Sequence, residues 1–264
     1  MDPARIIELS FSPCGTTEAV AHAAAVKLSE KYNVKLEKIK FTALADRAEI
    51  KNFTEGDLLV VASPTYAGKI PNKIMPDFKE KIKSQGAKAV AIVTYGNRSF
   101  DNSLAELKAI LKANGFAVVA GAAVVTEHSM VHIAAGKPTA EDLAKVAEFA
   151  GKIKMDSEPE VPGDADAPYY VPKLENGEPA KFLKAHPKTD TEKCIKCGVC
   201  AKGCPMGSIS SEDFSEVSGV CIKCQACVTH CKQGAKYFDD EQLLSHIKML
   251  QQNFADVKES YFFL

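Results

Sequence analysis

Through the first 155 or so residues, short unbroken apolar runs alternate with stretches in which apolar residues recur every three or four positions. Ile6 to Phe11 is the first such run and ends at a turn, which predicts a buried strand. Val20, Ala24 and Leu28 follow at helical spacing, and Val34 to Phe41 alternates as a more exposed second strand does. Leu58 to Ala62 and Ala89 to Val93 carry no polar residue, the pattern of central parallel strands buried on both faces. A helix is predicted over Lys73 to Lys83 between them. Leu104, Leu107, Ile110 and Leu111 form a helical stripe that stops at Asn114-Gly115. Phe116 to Val125 reads as a fifth strand, and Thr139 to Ile153 as a last helix capped by Thr139. Five strands alternating with helices imply the α/β class, a doubly wound parallel sheet with helices on both faces.

The pattern then changes. Residues 156–190 contain six prolines (Pro159, Pro162, Pro168, Pro172, Pro179, Pro187) and an acidic start, which argue against regular structure. This is a linker, yet Tyr169, Tyr170, Phe182 and Leu183 are too apolar for a freely solvated tether, so it is expected to pack on something. Residues 191–238 form a cysteine-rich module. Residues 239–264 supply a closing amphipathic helix, with an apolar stripe of Leu243, Leu244, Ile247 and Leu250, and a tail.

Composition narrows the class without naming a function. The chain has 264 residues, 46% of them hydrophobic and 25% charged, the balance of a globular protein. Its formal net charge of −1 offers no overall field for nucleic acid or an anionic membrane. No apolar run approaches the ~18 residues of a membrane span. The opening MDPARIIELSFSPCG lacks a basic start followed by an apolar stretch, so a cytoplasmic location is expected.

Cysteine changes the picture most. Eight of the nine cysteines fall within 38 residues, and the ninth, Cys14, stands alone. The runs Cys194-Ile-Lys-Cys197-Gly-Val-Cys200-Ala-Lys-Gly-Cys204 and Cys221-Ile-Lys-Cys224-Gln-Ala-Cys227-Val-Thr-His-Cys231 repeat at an interval of 27 residues. Both have the spacing C-x2-C-x2-C-x3-C of cuboidal iron–sulfur sites. Three thiolates at such intervals can turn around one cube. The fourth lies too far along the chain to close it and crosses to the other. One [4Fe-4S] cluster is thus expected on Cys194, Cys197, Cys200 and Cys231, the other on Cys221, Cys224, Cys227 and Cys204. Structural zinc favours two separated C-x2-C pairs, and disulfides need an oxidising compartment, so both fit less well. The segment resembles the two-[4Fe-4S] ferredoxins, with Lys232 where a proline usually follows the last cysteine.

Three loops fall after the first, third and fourth strands, where open parallel sheets bind ligands. Ser12-Pro13-Cys14-Gly15-Thr16-Thr17 leads into a helix whose free amides suit a phosphate monoester. The Gly-Lys-Thr of triphosphate loops is absent. Pro64-Thr65-Tyr66-Ala67-Gly68 and Thr94-Tyr95-Gly96-Asn97-Arg98-Ser99-Phe100-Asp101 place aromatics that could sandwich a flat conjugated ring, with Asn97 and backbone groups on its polar edge. These loops resemble those of the flavodoxin family over roughly residues 1–155. Ser12, Gly15 and Thr17 match its phosphate loop, and Cys14 stands where threonine is usual. Tyr66 and Phe100 match its stacking aromatics, and Asn97 replaces an acid. The resemblance implies FMN, strand order 2-1-3-4-5 and a short-chain type. Over nearly the whole chain, the combination looks like the flavodoxin–ferredoxin fusion proteins of anaerobes.

Read together, these features suggest an electron carrier that joins one-electron clusters to a flavin and works with redox partner proteins, self-association into a homodimer being left open. The alternative is a flavin enzyme reducing a small molecule or exchanging hydride with a nicotinamide, although no Gly-x-Gly-x-x-Gly fingerprint is present. A redox sensor would need an output domain that is not recognisable here. Cys14 is expected to pack as a neutral thiol. His128 and His132 follow the fifth strand within reach of the flavin loops, and solvated loop histidines are the plainer expectation for them.

Overall fold

The computed structural model describes residues 2–264. The elements appear in the order strand Arg5–Ser10 (β1), helix Thr16–Tyr32 (α1), strands Leu36–Lys40 (β2), Lys51–Thr54 (β3) and Asp57–Pro64 (β4), helix Met75–Lys81 (α2), strands Ile82–Gln85 (β5) and Lys88–Tyr95 (β6), helix Ser103–Ala113 (α3), strand Ala117–Val125 (β7) and helix Ala140–Lys152 (α4). The cysteine module contributes strand Lys188–Thr189 (β8), helices Val199–Lys202 (α5) and Ala226–Thr229 (α6) and strand Lys236–Tyr237 (β9). Helix Glu241–Asn253 (α7) and strand Tyr261–Phe263 (β10) close the chain.

The main sheet runs β10-β7-β6-β4-β1-β2. Its five parallel strands, taken in chain order, give 2-1-3-4-5, the flavodoxin-like doubly wound arrangement. Alternation along the strands divides the core between the two faces. Ile6, Leu58, Val60, Val90 and Ile92 pack with Val20, Ala24 and Leu28 of α1 and Val146 and Phe149 of α4. Ile7, Leu9, Leu59, Val61 and Val93 pack with Phe78 of α2 and Leu104, Leu107 and Leu111 of α3. Thr139 caps α4 as its sequence predicts, its hydroxyl accepting from the amide of Asp142.

Two elements depart from the sequence pattern. The helix expected over Lys73 to Lys83 covers only Met75–Lys81, because Ile82 turns into the core and starts β5, which pairs with β3 in a separate two-stranded sheet. The sheet expected to have five strands has six. The tail returns so that Tyr261–Phe263 pairs antiparallel with Gly121–Ala123, covering the edge that β7 would otherwise leave open. Phe262 and Phe263 then pack on opposite faces of the sheet.

Residues 156–187 contain no helix; the first half is laid along the sheet domain, and the second bonds to α7 and the cysteine module. Lys69 Nζ donates to the carbonyls of Ala165 and Ala167 at 2.8 and 2.7 Å, and the Tyr170 amide donates to Ala67 O at 2.8 Å. Val161 packs against the core beside Gly121. On α7, Met249 and Leu250 pack against Val131 and Ile133 of the loop after β7, and Ile247 joins this cluster at its edge. Leu244 remains 40% exposed, so the stripe read from the sequence is narrower than expected.

Candidate functional site

The 27-residue repeat is written in the backbone as well as in the cysteines. Lys196 and Lys223 both have φ 55°, Gly198 and Gln225 have φ 75° and 65°, and Gly207 and Gly234 have φ 60° and 59°. Left-handed residues at matching positions turn each run back on itself, and each then enters a one-turn helix, α5 or α6. The amide of Ser208 donates to Cys204 Sγ, and that of Ala235 to Cys231 Sγ, both at 3.3 Å. Such bonds orient a thiolate and tune a cluster it holds. At Cys231 burial pushes the thiol up, but the amides of Ala235, Gln233, Lys236 and Gly234 outweigh it and hold the group below the usual thiol range.

Cys204, Cys221, Cys224 and Cys227 line one hollow with Met206, Ile209, Val220, Ile222 and Phe238. Three cysteines of the second run and the last cysteine of the first therefore line one apolar hollow. Among the described residues, no three His, Cys, Asp or Glu side chains form a site for a single metal ion. The two ends of the module differ in exposure. Cys197 is exposed, whereas Cys224 is buried and its thiol is pushed well up by desolvation.

A cavity of about 690 Å³ opens at the carboxyl ends of β1, β4, β6 and β7. Pro13, Cys14, Thr16 and Thr17 form one wall, Pro64 to Gly68 a second, and Thr94, Gly96, Arg98 and Ser99 a third. A fourth wall comes from Tyr169, Tyr170, Phe182 and Leu183 of the linker, and a fifth from Val220 to Cys224, His246 and Leu250. Cys221, Ile222 and Cys224 line both this cavity and the cysteine hollow.

The loop before α1 leaves backbone amides free at the cavity. Gly15 sits at the helix start with φ 91°, where a side chain would be strained. Ser12 Oγ accepts from the amide of Glu18 at 2.9 Å, so its hydroxyl caps the helix and Ser12 itself is not on the cavity lining. Thr16 and Thr17, which are on it, keep amides that have no intrahelical acceptor. Thr17 Oγ1 lies 2.7 Å from Thr94 Oγ1 and joins this loop to the one after β6. Cys14 does not face an anion alone: its thiol donates to the Cys224 carbonyl at 3.1 Å, and burial pushes its pKa up.

Tyr66 sits in a tight turn closed by paired backbone bonds with Lys69, at 2.9 and 3.2 Å. Ala67 and Gly68 have φ 48° and 78°, and a Cβ on Gly68 would lie 2.3 Å from Asp101 Oδ2. Burial raises the Tyr66 phenol well above its ordinary range, with Cys224, Cys14 and Cys221 nearby. Tyr66 lines the cavity on the side where Cys221 and Cys224 also line it.

Four residues of the second loop expected to bind the flavin, Tyr95, Asn97, Phe100 and Asp101, have side chains engaged elsewhere. Asn97 is fully buried, its Nδ2 donating to Phe254 O and Asp256 O at 2.7 and 2.9 Å and its Oδ1 accepting from the Lys258 amide at 2.7 Å. Phe100 packs between Tyr95 and Tyr261, each at 5.6 Å between ring centres, and the Tyr95 hydroxyl donates to Glu259 O. Asp101 pairs with Arg98. All four are absent from the lining because the C-terminal tail claims three of them and Arg98 the other.

Other residues take that space. The Arg98 guanidinium stacks on Tyr170 at 4.0 Å. His128 lines the cavity, and burial, with His246 and Arg98 nearby, pushes it down to about 4. Gly96 makes room for it, since a Cβ there would lie 2.5 Å from His128 Cδ2. His246 belongs to α7 and lies outside the apolar stripe of Leu243, Leu244, Ile247 and Leu250 expected from the sequence. His132, the other histidine of the loop, is exposed and pairs with Glu127.

Among the described residues no helix is long and apolar enough to cross a membrane. No curated protein matches the chain. Among solved structures, a flavodoxin from the domain Archaea is 20% identical, with 55% of this chain and 93% of that one covered and a TM-score of 0.39. Flavodoxin 2 from Bacillus cereus is 18% identical, covering 56% and 95% with a TM-score of 0.40. Rubredoxin oxygen:oxidoreductase from the anaerobe Desulfovibrio gigas is 16% identical over 58% of this chain, which spans 36% of that protein, with a TM-score of 0.40. Residues 187–210 match the 4Fe-4S binding domain family, so a sheet of flavodoxin-like order is joined in this chain to a 4Fe-4S binding domain.

Proposed function

We propose that this protein is an electron-transfer iron–sulfur flavoprotein with two [4Fe-4S] clusters and FMN, serving partner redox proteins in an anaerobic metabolism. The observation that carries the reading is the shared wall: Cys221, Ile222 and Cys224 line both the cysteine hollow and the large cavity. Cys194, Cys197, Cys200 and Cys231 would hold one cluster, and Cys221, Cys224, Cys227 and Cys204 the other. Thr16 and Thr17 would hold the FMN phosphate, and Tyr66 would lie against its ring. Clusters exchange electrons singly and FMN singly or in pairs, so the cofactors supply a conversion between the two.

The chain's own contribution is order and dryness. Exposed Cys197 sets the first group of thiols at the surface, where a partner can approach, and buried Cys224 sets the second group against the cavity. Ile222, packed against the sheet core, supplies apolar surface to the wall between them. Tyr169 is held by its hydroxyl, which donates to Ile70 O at 2.8 Å, and Tyr170 by Arg98. With both tyrosines and Phe182 over the cavity, the linker restricts access for a bulky substrate, which favours a carrier over an enzyme that turns over a small molecule at the flavin.

The test is anaerobic. The full chain should carry about eight irons and eight acid-labile sulfides, release FMN on denaturation, and show flavin reduction by way of the clusters in a redox titration. Thr17→Val should weaken FMN binding by about tenfold or more. Stoichiometric zinc in place of iron would overturn the cluster reading, and full FMN retention in Thr17→Val would overturn the phosphate loop.

A further inference from the structure

We infer that His128 and His246 bind the pyrimidine edge of the flavin ring, His128 as hydrogen-bond donor and His246 as acceptor. This rests on the reading of the cavity as the FMN site. Both rings line that cavity, one from the loop after β7 and the other from α7. They take the place at the ring's polar edge for which Asn97 is unavailable.

The tautomers follow from the backbone. His128 Nδ1 accepts from the Met130 amide at 3.2 Å, so the neutral ring carries its proton on Nε2. His246 Nδ1 lies 2.7 Å from Lys173 O, and a carbonyl can only accept, so Nδ1 is protonated and the neutral ring offers a lone pair at Nε2. Burial disfavours the charged form of both rings. Among the described residues neither Nε2 has a hydrogen-bond partner within the protein, although each Nδ1 does.

Each ring is held in place by a packing contact of its own. His246 stacks on Phe182 of the linker at 5.4 Å and 29°. His128 occupies space that only the missing Cβ of Gly96 leaves free. The two rings thus present a fixed donor and a fixed acceptor from different parts of the chain. A simple carboxylate would call for two donors. Oxidised flavin has a single ring N–H, at N3, flanked by two carbonyls, so a donor beside an acceptor complements that edge.

The pairing can be tested by changing protein and ligand together. Flavin-depleted full-length protein, with its clusters intact, is titrated with FMN and with N3-methyl-FMN, following flavin fluorescence. Wild type should prefer FMN by about tenfold, His246→Phe should bind FMN about tenfold less tightly, and that variant should lose the preference. His128→Phe should weaken both flavins to a similar extent and keep the preference. His246→Asn guards against a packing effect, because it retains an acceptor and should recover part of the preference. An unchanged preference in His246→Phe would overturn the pairing while leaving FMN binding in place. A wild-type protein that binds no FMN would overturn the cavity reading and this inference together.

Discussion

The Cys14 thiol donates a hydrogen bond to the backbone carbonyl of Cys224 at 3.1 Å, so the loop before α1 touches the backbone of a cysteine in the second run. His230 Nε2 lies 2.9 Å from Pro13 O on the same junction, and Arg47 donates to Pro205 O at 2.7 Å. Cys14 thus acts at this junction as a neutral thiol donor, its pKa pushed up by burial. Cys14→Ala should weaken the junction by about 1 kcal/mol. We expect faster iron release to a chelator, with FMN affinity changed less than threefold. Iron release at the wild-type rate would show that the contact carries no coupling.

Crossed ligation makes a prediction specific to residue number. Cys204 belongs to the first run by sequence but lines the hollow with Cys221, Cys224 and Cys227. Cys204→Ala and Cys224→Ala should therefore perturb the same cluster, and Cys197→Ala the other. Electron paramagnetic resonance of the reduced proteins should show the first two variants alike and the third distinct. A Cys204→Ala spectrum resembling that of Cys197→Ala would refute the assignment.

Asn97 separates a structural role from a ligand role. Its side chain serves two carbonyls and one amide of the tail while fully buried. Asn97→Ala leaves those groups unpaired, and should cost about 2–4 kcal/mol in denaturant unfolding. FMN affinity at low denaturant should stay within about threefold. A larger loss of affinity than of stability would return Asn97 to the flavin edge.

Acid should destabilise the flavin-free protein through His128. Its folded pKa of about 4 lies below the ~6.5 of an exposed histidine, so between these values the unfolded chain binds more protons. Stability is then retained above about pH 6.5 and falls as pH drops toward 4, by up to about 3 kcal/mol. The lowered pKa of His246 acts in the same direction. His128→Gln should flatten this part of the stability–pH curve, measured by denaturant titration at each pH.

Much of this protein was legible in one dimension because its signals are local. Short unbroken runs between turns, such as Leu58 to Ala62, have the pattern of a strand buried on both faces, and the cysteine spacing matches that of cuboidal iron–sulfur sites. The glycine at position 15 and the capping hydroxyl of Thr139 likewise act within a turn of their own position. What depended on distant partners was not legible. Tyr261–Phe263 is too short to declare itself a strand and becomes one only against the edge of β7. Asn97 sits in a loop of flavin-binding pattern, yet the backbone groups it serves lie 157 to 161 residues away. His246 looks like one position on an amphipathic helix until the linker carbonyl of Lys173 sets its tautomer and the cavity its surroundings. The sequence alone determined the doubly wound sheet and the paired cysteine runs. Only tertiary packing, which joins groups without regard to their separation along the chain, decided that Cys221 and Cys224 would share a wall with the cavity and which residues would stand around it.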